Sequence, residues 1–415
     1  MARVAIIGGG VIGLATAWEL HQRGAEVVIL DARTAGMAAS AANAGYIATS
    51  LPGPVPTPGL VKQSLKWMLD PSRPLYIRPR ANAHFLAWLY RFWRACNAPE
   101  YQAGLEASAE FLRQTGPIMQ SWVDARIQFE MHDFGRLIAY QNKDVMESDL
   151  AGYQQMERYG LAMPTPIYGD DLHEMEPALS DLITAAFYIK DEHTVQPISL
   201  VQGLIQKLGN AGIVIRNGAP VVDIVANGRS VTGVRTPSEQ LNVDHVLIAA
   251  GAWSGSIANL AGAKLPIEGG KGYALDFADA PTRPSRSISL RDAKIAVTPF
   301  DGGLRLSGTM ELSGLSDQLT RHRIDAIHNG GKRFLRNVPD EPTHIRSGMR
   351  PMAPDGLPVL GKIGGFENLT VATGHSMLGV TMAAVTAVNM AELITTGIAP
   401  DMIKPFSPSR FRGIF

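Results

Sequence analysis

The stretch VAIIGGGVIGLATAWEL, Val4 to Leu20, constrains the fold more than any other part of this chain. Val4–Ile7 is a short apolar run ending in glycines, which suits a buried parallel strand. From Val11 to Arg23 the spacing is helical, with Leu14, Ala17, Trp18 and His21 falling on one side. Gly24 stops that helix and Glu26–Leu30 reads as the next strand, which completes a βαβ unit. Gly8, Gly10 and Gly13 stand in G-x-G-x-x-G spacing between strand and helix. The first makes a tight turn, the second admits a pyrophosphate close to the backbone, and the third lets helix and strand pack closely. Val11 and Ile12 open the helix, whose N-terminus carries partial positive charge. Asp31 follows Gly13 by eighteen residues and ends the second strand, placed to accept hydrogen bonds from a ribose. These features together argue for a bound dinucleotide and against a chance glycine turn, but they do not separate NAD from FAD.

The bulk numbers narrow the class. A chain of 415 residues exceeds one ordinary core, so two structural units are expected. Basic and acidic residues are both 38, so no electrostatic footprint for nucleic acid exists. A single cysteine, Cys96, excludes an internal disulfide framework and fits a reducing, cytoplasmic setting. No basic leader precedes the first strand. The most apolar long run, Val371 to Ile394, is broken by His375, Ser376, Asn389 and Glu392 and reads as a buried helix rather than a membrane span.

After Asp31 the βα alternation ceases. TAGMAASAANAGYIATSLPGPVPTPG is a loop of small residues, and residues 60–125 read mostly as helix. A helix is expected near Leu200–Leu208, β-rich segments between residues 213 and 250, and more sheet over 264–345 with a hairpin around Asp301–Gly303. Helices are expected again at Arg321–Leu335 and from about Leu378 to Thr395. The expected fold is α/β: a Rossmann-like nucleotide domain assembled from residues 1–60, 195–262 and 345–415. A mixed-sheet substrate domain comprises 61–194 and 263–344.

The loop SAANAGYI decides between cofactors. Ser40, Asn43, Ala44 and Gly45 let backbone N–H groups and small side chains approach a second phosphate or a ribityl chain, where an NAD enzyme would more often continue into further βα units. At this point the chain resembles the D-amino-acid-oxidase (DAO) superfamily of FAD-dependent oxidoreductases. The segments around KGYALDF, AVTPFDGGLRLSGTMEL, GMRPMAPDGLPVLG and TGHSMLGVTMA, with the loop after SAANAGYI, look like the D-amino acid and D-hydroxyproline dehydrogenase branch. The matches run from residue 3 to about 395. GMRPMAPDGLPVLG is shared with glycine and sarcosine oxidases.

The resemblance implies a resident, non-covalent FAD. Asp31, Ala32 and Arg33 would flank its adenosine, Ser40, Asn43, Ala44 and Gly45 would follow the pyrophosphate and ribityl chain, and Gly251 would close over the dinucleotide. Val221 would touch adenine through its backbone or serve as a plain strand residue. TGHSMLG leads into a helix whose free N–H groups would stabilise negative charge on the flavin, with backbone at Met377, Leu378, Gly379 and Val380 and a side-chain donor at Thr381. Arg350 would fork onto a substrate carboxylate, the alternative being an ion pair with a neighbour such as Asp355. His375 is either a base or a structural histidine in the turn. Related enzymes add a tyrosine near the position of Ala293, absent here in LRDAK; Tyr273 is the candidate substitute, or else a packed sheet residue.

The reaction so implied is oxidation of a small amino acid, of the D-proline, D-hydroxyproline or D-alanine type, by hydride transfer from the α-carbon to flavin N5. Electrons would pass to a quinone, another carrier or oxygen. Two alternatives stand beside it: an oxygen-using glycine- or sarcosine-type amine oxidase, and the FAD subunit of a hetero-oligomeric amino acid or opine dehydrogenase. Residues 84–95, with Phe85, Trp88, Leu89, Phe92 and Trp93 beside Arg91 and Arg94, form either core or an amphipathic contact for a partner subunit or the inner face of a membrane.

Overall fold

A computed structural model of the chain describes residues 2–50, 53–60, 75–80, 82–160 and 163–411. Residues 61–74, part of the loop-and-helix segment that carries the family resemblance, lie outside them. The N-terminal βαβ unit forms as its sequence dictates: strands Arg3–Ile7 and Glu26–Leu30 lie parallel, joined by the helix Val11–Gln22. They occupy the centre of a six-stranded sheet ordered Val214–Arg216, Glu26–Leu30, Arg3–Ile7, His245–Ile248, Leu369–Thr373, Val359–Lys362. All neighbours are parallel except the last pair. The strands come from three separated stretches of chain, residues 3–30, 214–248 and 359–373.

A second sheet holds nine strands among the described residues. Its path runs His344–Met352, Glu268–Ala278, Gly303–Leu312, Ile295–Phe300, Ser287–Leu290, Arg136–Tyr140, Ala185–Ile189, Thr165–Tyr168, and Leu75–Ile77 joins the Gly303–Leu312 strand. The expected hairpin is present, with Phe300 paired to Gly303 across Asp301 and Gly302. Two expected boundaries move. His344–Met352 pairs along its whole length with Glu268–Ala278, so the chain rejoins the first sheet only after Met352, not at residue 345. The helices Ala98–Leu112 and Thr115–Asp124, expected with the substrate domain, place Phe111, Leu112, Met119 and Trp122 in the same core as Leu14, Ala17 and Val385.

The expected C-terminal helices form at Pro197–Asn210, Arg321–Phe334 and Gly379–Thr396. By length and composition the last could cross a membrane, but most of it is buried in this fold, with Ala383, Ala384, Val385 and Ala387 at zero exposure. A single continuous cavity of about 990 Å³ lies where the two sheets meet.

Candidate active site

The glycine loop forms one end of this cavity. Gly8 has φ of +112°, and a Cβ there would lie 2.4 Å from the Ala249 carbonyl oxygen; a Cβ on Gly13 would lie 2.0 Å from the Gly8 oxygen. Gly13 therefore acts behind the loop, in helix–strand packing, and does not itself line the cavity. Gly10 does line it, and a Cβ there would meet only Ser40 Oγ, at 3.4 Å, so the space in front of the helix N-terminus is open. Asp31 Oδ2 accepts from Gly9 N–H at 2.7 Å and its Oδ1 from Arg33 N–H at 2.8 Å. Ser40 Oγ accepts the Val11 N–H at 3.0 Å, which satisfies one of the donors that a helix start leaves unpaired. Ile12, Ala32, Arg33, Val221 and Gly251 also face the cavity. Arg33 stacks 4.5 Å over the Trp253 ring and pairs with Asp317 at 2.9 Å.

The second loop is held from below. Arg305, 1% exposed, donates from Nη1 to the carbonyl oxygens of Ala41 at 2.9 Å and Asn43 at 2.7 Å. Its other side forks onto Asp276, which Arg346 also contacts. Burial opposes ionisation of Asp276, but the hydrogen bonds and charge of the two arginines hold its carboxyl below the usual range. In a trans peptide N–H and C=O point opposite ways, so drawing the Ala41 and Asn43 carbonyls toward Arg305 turns the Ala42 and Ala44 N–H groups away from it. Ala42, Asn43 and Ala44 line the cavity, whereas Gly45 packs against Val195 and does not. Asn43 Oδ1 accepts the Gly45 N–H at 2.8 Å, fixing the turn.

Opposite, Gly374 and Ser376 take positive φ in the turn that leads to the Gly379–Thr396 helix. No side chain caps this helix, and Met377, Leu378, Gly379 and Val380 border the cavity, so its N-terminal dipole opens inward. Thr381 does not: its Oγ1 donates to the Tyr46 oxygen at 2.9 Å and accepts from Ala48 N–H, so the expected ligand donor is a structural tie. His375 borders the cavity, yet its Nε2 meets Thr386 Oγ1 at 3.0 Å and burial pushes its pKa down to about 3. The ring is neutral and held, as a structural histidine is.

Arg350 lies on the strand His344–Met352, lines the cavity and donates from Nη1 to the Thr309 oxygen at 2.7 Å. Among the described residues no carboxylate pairs with it; the neighbour Asp355 is taken by Arg410 at 2.6 Å and 3.2 Å. Burial, with Arg323 nearby, pushes the Arg350 pKa down to about 10. Gly272 across the ladder makes room for it, since a Cβ there would fall 2.3–2.4 Å from the guanidinium atoms. Tyr273, the next residue, points the other way by strand alternation. It is 1% exposed, packs with Leu275 and Phe277, and donates to Glu311 at 3.0 Å, so it does not substitute for the missing tyrosine. Lys271 shares that face, pairing with Glu311 at 3.5 Å. Ala293 packs beside the same cluster and does not border the cavity.

Beyond Arg350 the wall is apolar, built from Trp88, Phe92, Met310, Leu312 and Met352. Trp88 Nε1 donates to the Met352 oxygen at 3.0 Å and so ties the helix Ala83–Ala95 to the arginine strand. Further along, Arg136 pairs with Glu192 at 2.5 Å and lies 5.1 Å from the Tyr46 ring, whose hydroxyl burial pushes up to about 12. Tyr46 and Arg305 lie within quoted motifs but are not singled out by them, and Arg136 carries no motif signal. A buried arginine in an apolar strand reads the same in sequence as a solvated one.

Gly8, Asp31, the Ser40–Ala44 loop and the start of the Gly379–Thr396 helix all border one cavity. A family model described as FAD dependent oxidoreductase (DAO) matches residues 3–393. The chain belongs to this family. An FAD-dependent oxidoreductase needs room for an extended dinucleotide, and Gly8, Gly10, Asp31, Ser40, Asn43, Ala44 and Met377 to Val380 all line this one cavity. Solved structures share the fold. Glycine oxidase from Geobacillus kaustophilus is 21% identical over 99% of both chains, with a TM-score of 0.75. L-proline dehydrogenase from P. horikoshii is 18% identical over 99% of this chain and 97% of that one, at 0.74. Iminodiacetate oxidase from Chelativorans sp. BNC1 is 18% identical over 98% and 99%, at 0.75.

Proposed function

We propose that this FAD-dependent oxidoreductase oxidises a small amino or imino acid at its α-carbon, and that Arg350 holds the substrate carboxylate. The observation that carries this is a cavity-lining guanidinium with no carboxylate partner among the described residues, beside the apolar patch of Trp88, Phe92, Met310, Leu312 and Met352. An unpaired buried cation is costly unless a ligand completes it. Bound FAD supplies the two-electron acceptor. The chain's own groups orient the substrate: the fork fixes the carboxylate, the apolar wall of Trp88, Phe92, Met310 and Met352 shields the reacting carbon from water, and no protein base is required once the amine is neutral. The neutral, hydrogen-bonded His375 agrees with that economy. The apolar wall favours a cyclic or aliphatic side chain over a charged one, which supports D-proline, D-hydroxyproline or D-alanine type substrates.

The helix Ala83–Ala95 also bears Leu86, Tyr90 and Trp93 on its outer face, each more than half exposed and spaced at i, i+4 and i+7. At these three positions this supports contact with a membrane surface or a partner that accepts the electrons, while Phe85 and Trp88 on the same helix are core. Anaerobic addition of D-proline, D-alanine, their L forms and glycine, followed by the visible flavin band, tests the proposal. Bleaching by a D form alone is the expected result. Bleaching by glycine or an L form alone would replace the substrate, and no bleaching by any carboxylate-bearing amine would overturn the reading.

A further inference from the structure

Thr309 is the one residue in the arginine's surroundings whose backbone and side chain are both out of the ordinary. Its Oγ1 has no hydrogen-bond partner among the described residues and is buried behind the cavity wall that other atoms of the residue form. Its φ is +57°, a region that β-branched residues rarely enter. The neighbouring ladder explains how it gets there. Lys271 pairs with Glu311 and Tyr273 with Gly308, so the Gly303–Leu312 strand takes three steps where its partner takes two. That is a β-bulge, a device that re-aims one residue while the strand continues. Pairing with Ile295–Phe300 stops at Gly308 and pairing with Leu75–Ile77 starts at Met310, which leaves Thr309 outside every ladder. The carbonyl thus freed accepts from Arg350 Nη1 at 2.7 Å.

Backbone strain of this kind persists only where the surroundings enforce it, and it concentrates at ligand sites. We propose that Thr309 is a substrate-binding residue whose hydroxyl, turned about χ1 into the cavity when substrate binds, donates the second contact to the carboxylate held by Arg350. The inference rests on the carboxylate reading of Arg350 and goes beyond it. A carboxylate offers about four lone-pair sites, and a guanidinium fork occupies two of them. One Arg350 nitrogen is committed to Thr309 O, so a hydroxyl on the same residue is brought alongside whatever the remaining N–H groups hold. The bulge fixes the arginine and the hydroxyl together, through one backbone unit. It supplies here the polar contact that the sequence, lacking a tyrosine near Ala293, leaves open.

The test uses the FAD-loaded enzyme and pyrrole-2-carboxylate, an unreactive carboxylate, with binding read from the flavin spectrum. Thr309→Val keeps shape and branching but loses the hydroxyl; Thr309→Ser keeps the hydroxyl. The expected result is about tenfold weaker binding for Thr309→Val and binding within twofold of wild type for Thr309→Ser, with FAD content unchanged in both and the substrate-free melting temperature of Thr309→Val no lower than wild type. The KM for D-proline follows the same order while kcat changes less. Wild-type binding by Thr309→Val, with binding lost in Arg350→Met, would overturn this role and leave the arginine's standing. Equal losses in Thr309→Val and Thr309→Ser would also overturn it, by assigning the effect to backbone shape. Wild-type binding by Arg350→Met would instead remove the carboxylate reading itself.

Discussion

Replacing Arg350 separates function from stability with opposite signs. A hydrogen bond to a charged group contributes about 1.5–3 kcal/mol net. Arg350→Lys keeps the charge and loses the fork, so one such bond, about 2 kcal/mol, should go, lowering kcat/KM by roughly 30-fold at 1.4 kcal/mol per decade. Arg350→Met loses both bonds and the charge, about 4 kcal/mol or roughly a thousandfold. The same change should stabilise the protein without substrate. Burial holds the Arg350 pKa at about 10 against 12.5 for a free arginine, equivalent to roughly 3 kcal/mol against the charged form. Losing the bond from the charged guanidinium to Thr309 O costs about 2 kcal/mol, so a net gain near 1 kcal/mol and a melting temperature higher by a degree or two are expected. The assay is dye reduction with proline and with pyrrolidine, which lacks the carboxylate, beside thermal melts at saturating FAD. Pyrrolidine turnover should be indifferent to Arg350→Met. A variant that keeps proline kcat/KM within threefold, or that loses activity and stability together, would refute the reasoning.

Three further perturbations probe other parts of the site. Gly272→Ala puts a methyl within 2.4 Å of the Arg350 guanidinium, whose flexible end must yield; KM should rise at least tenfold with FAD content and fold intact by circular dichroism. Arg305→Lys cannot hold Asp276 and two loop carbonyls at once, so the apoprotein should bind FAD about tenfold more weakly while AMP, which needs only the Gly8–Gly13 end, binds as before. His375 and His245 are buried and neutral, with pKa values near 3 and 4 against 6.5 when unfolded. The unfolded chain therefore takes up more protons below pH 6.5, stability is complete above that pH, and it falls as pH drops toward 4. Urea unfolding at saturating FAD should show a loss of roughly 4 kcal/mol between pH 7 and 5, about half of it removed in His245→Asn.

What the sequence made legible follows from how strongly geometry dictates residue type. At Gly8 and Gly13 a Cβ would collide with backbone, so only glycine serves, and the fingerprint could be read directly. The helix at Gly379 was legible because its start is marked by a turn and its length by apolar residues. Arg350 was placed by its motif, and its freedom from Asp355 emerged only when Arg410 was seen to occupy that carboxylate. Where geometry leaves residue type open, sequence says less. Both faces of the Glu268–Ala278 strand are buried, so apolar alternation cannot tell which face meets the cavity, and Tyr273 reads equally as a substrate contact or as the packed sheet residue it is. Thr381 shows the same ambiguity in a helix, its hydroxyl spent on Tyr46 rather than on a ligand.

The charged groups that organise the cofactor loop are the least legible, because burial and pairing are properties of three dimensions. Arg305 stands between two leucines, as an exposed strand arginine would, and only the sheet's placement beneath residues 41–43 gives it work. The bulge at Thr309 is less legible still, since one extra residue in a ladder leaves the alternation on either side intact. The loop at the strand–helix end of the cavity is thus written in glycines that sterics demand. The parts that choose the substrate depend on register, where a one-residue shift decides which side chain faces the cavity. This is why the family could be read from residue 3 onward while the second carboxylate contact had to be sought in the fold, at Thr309.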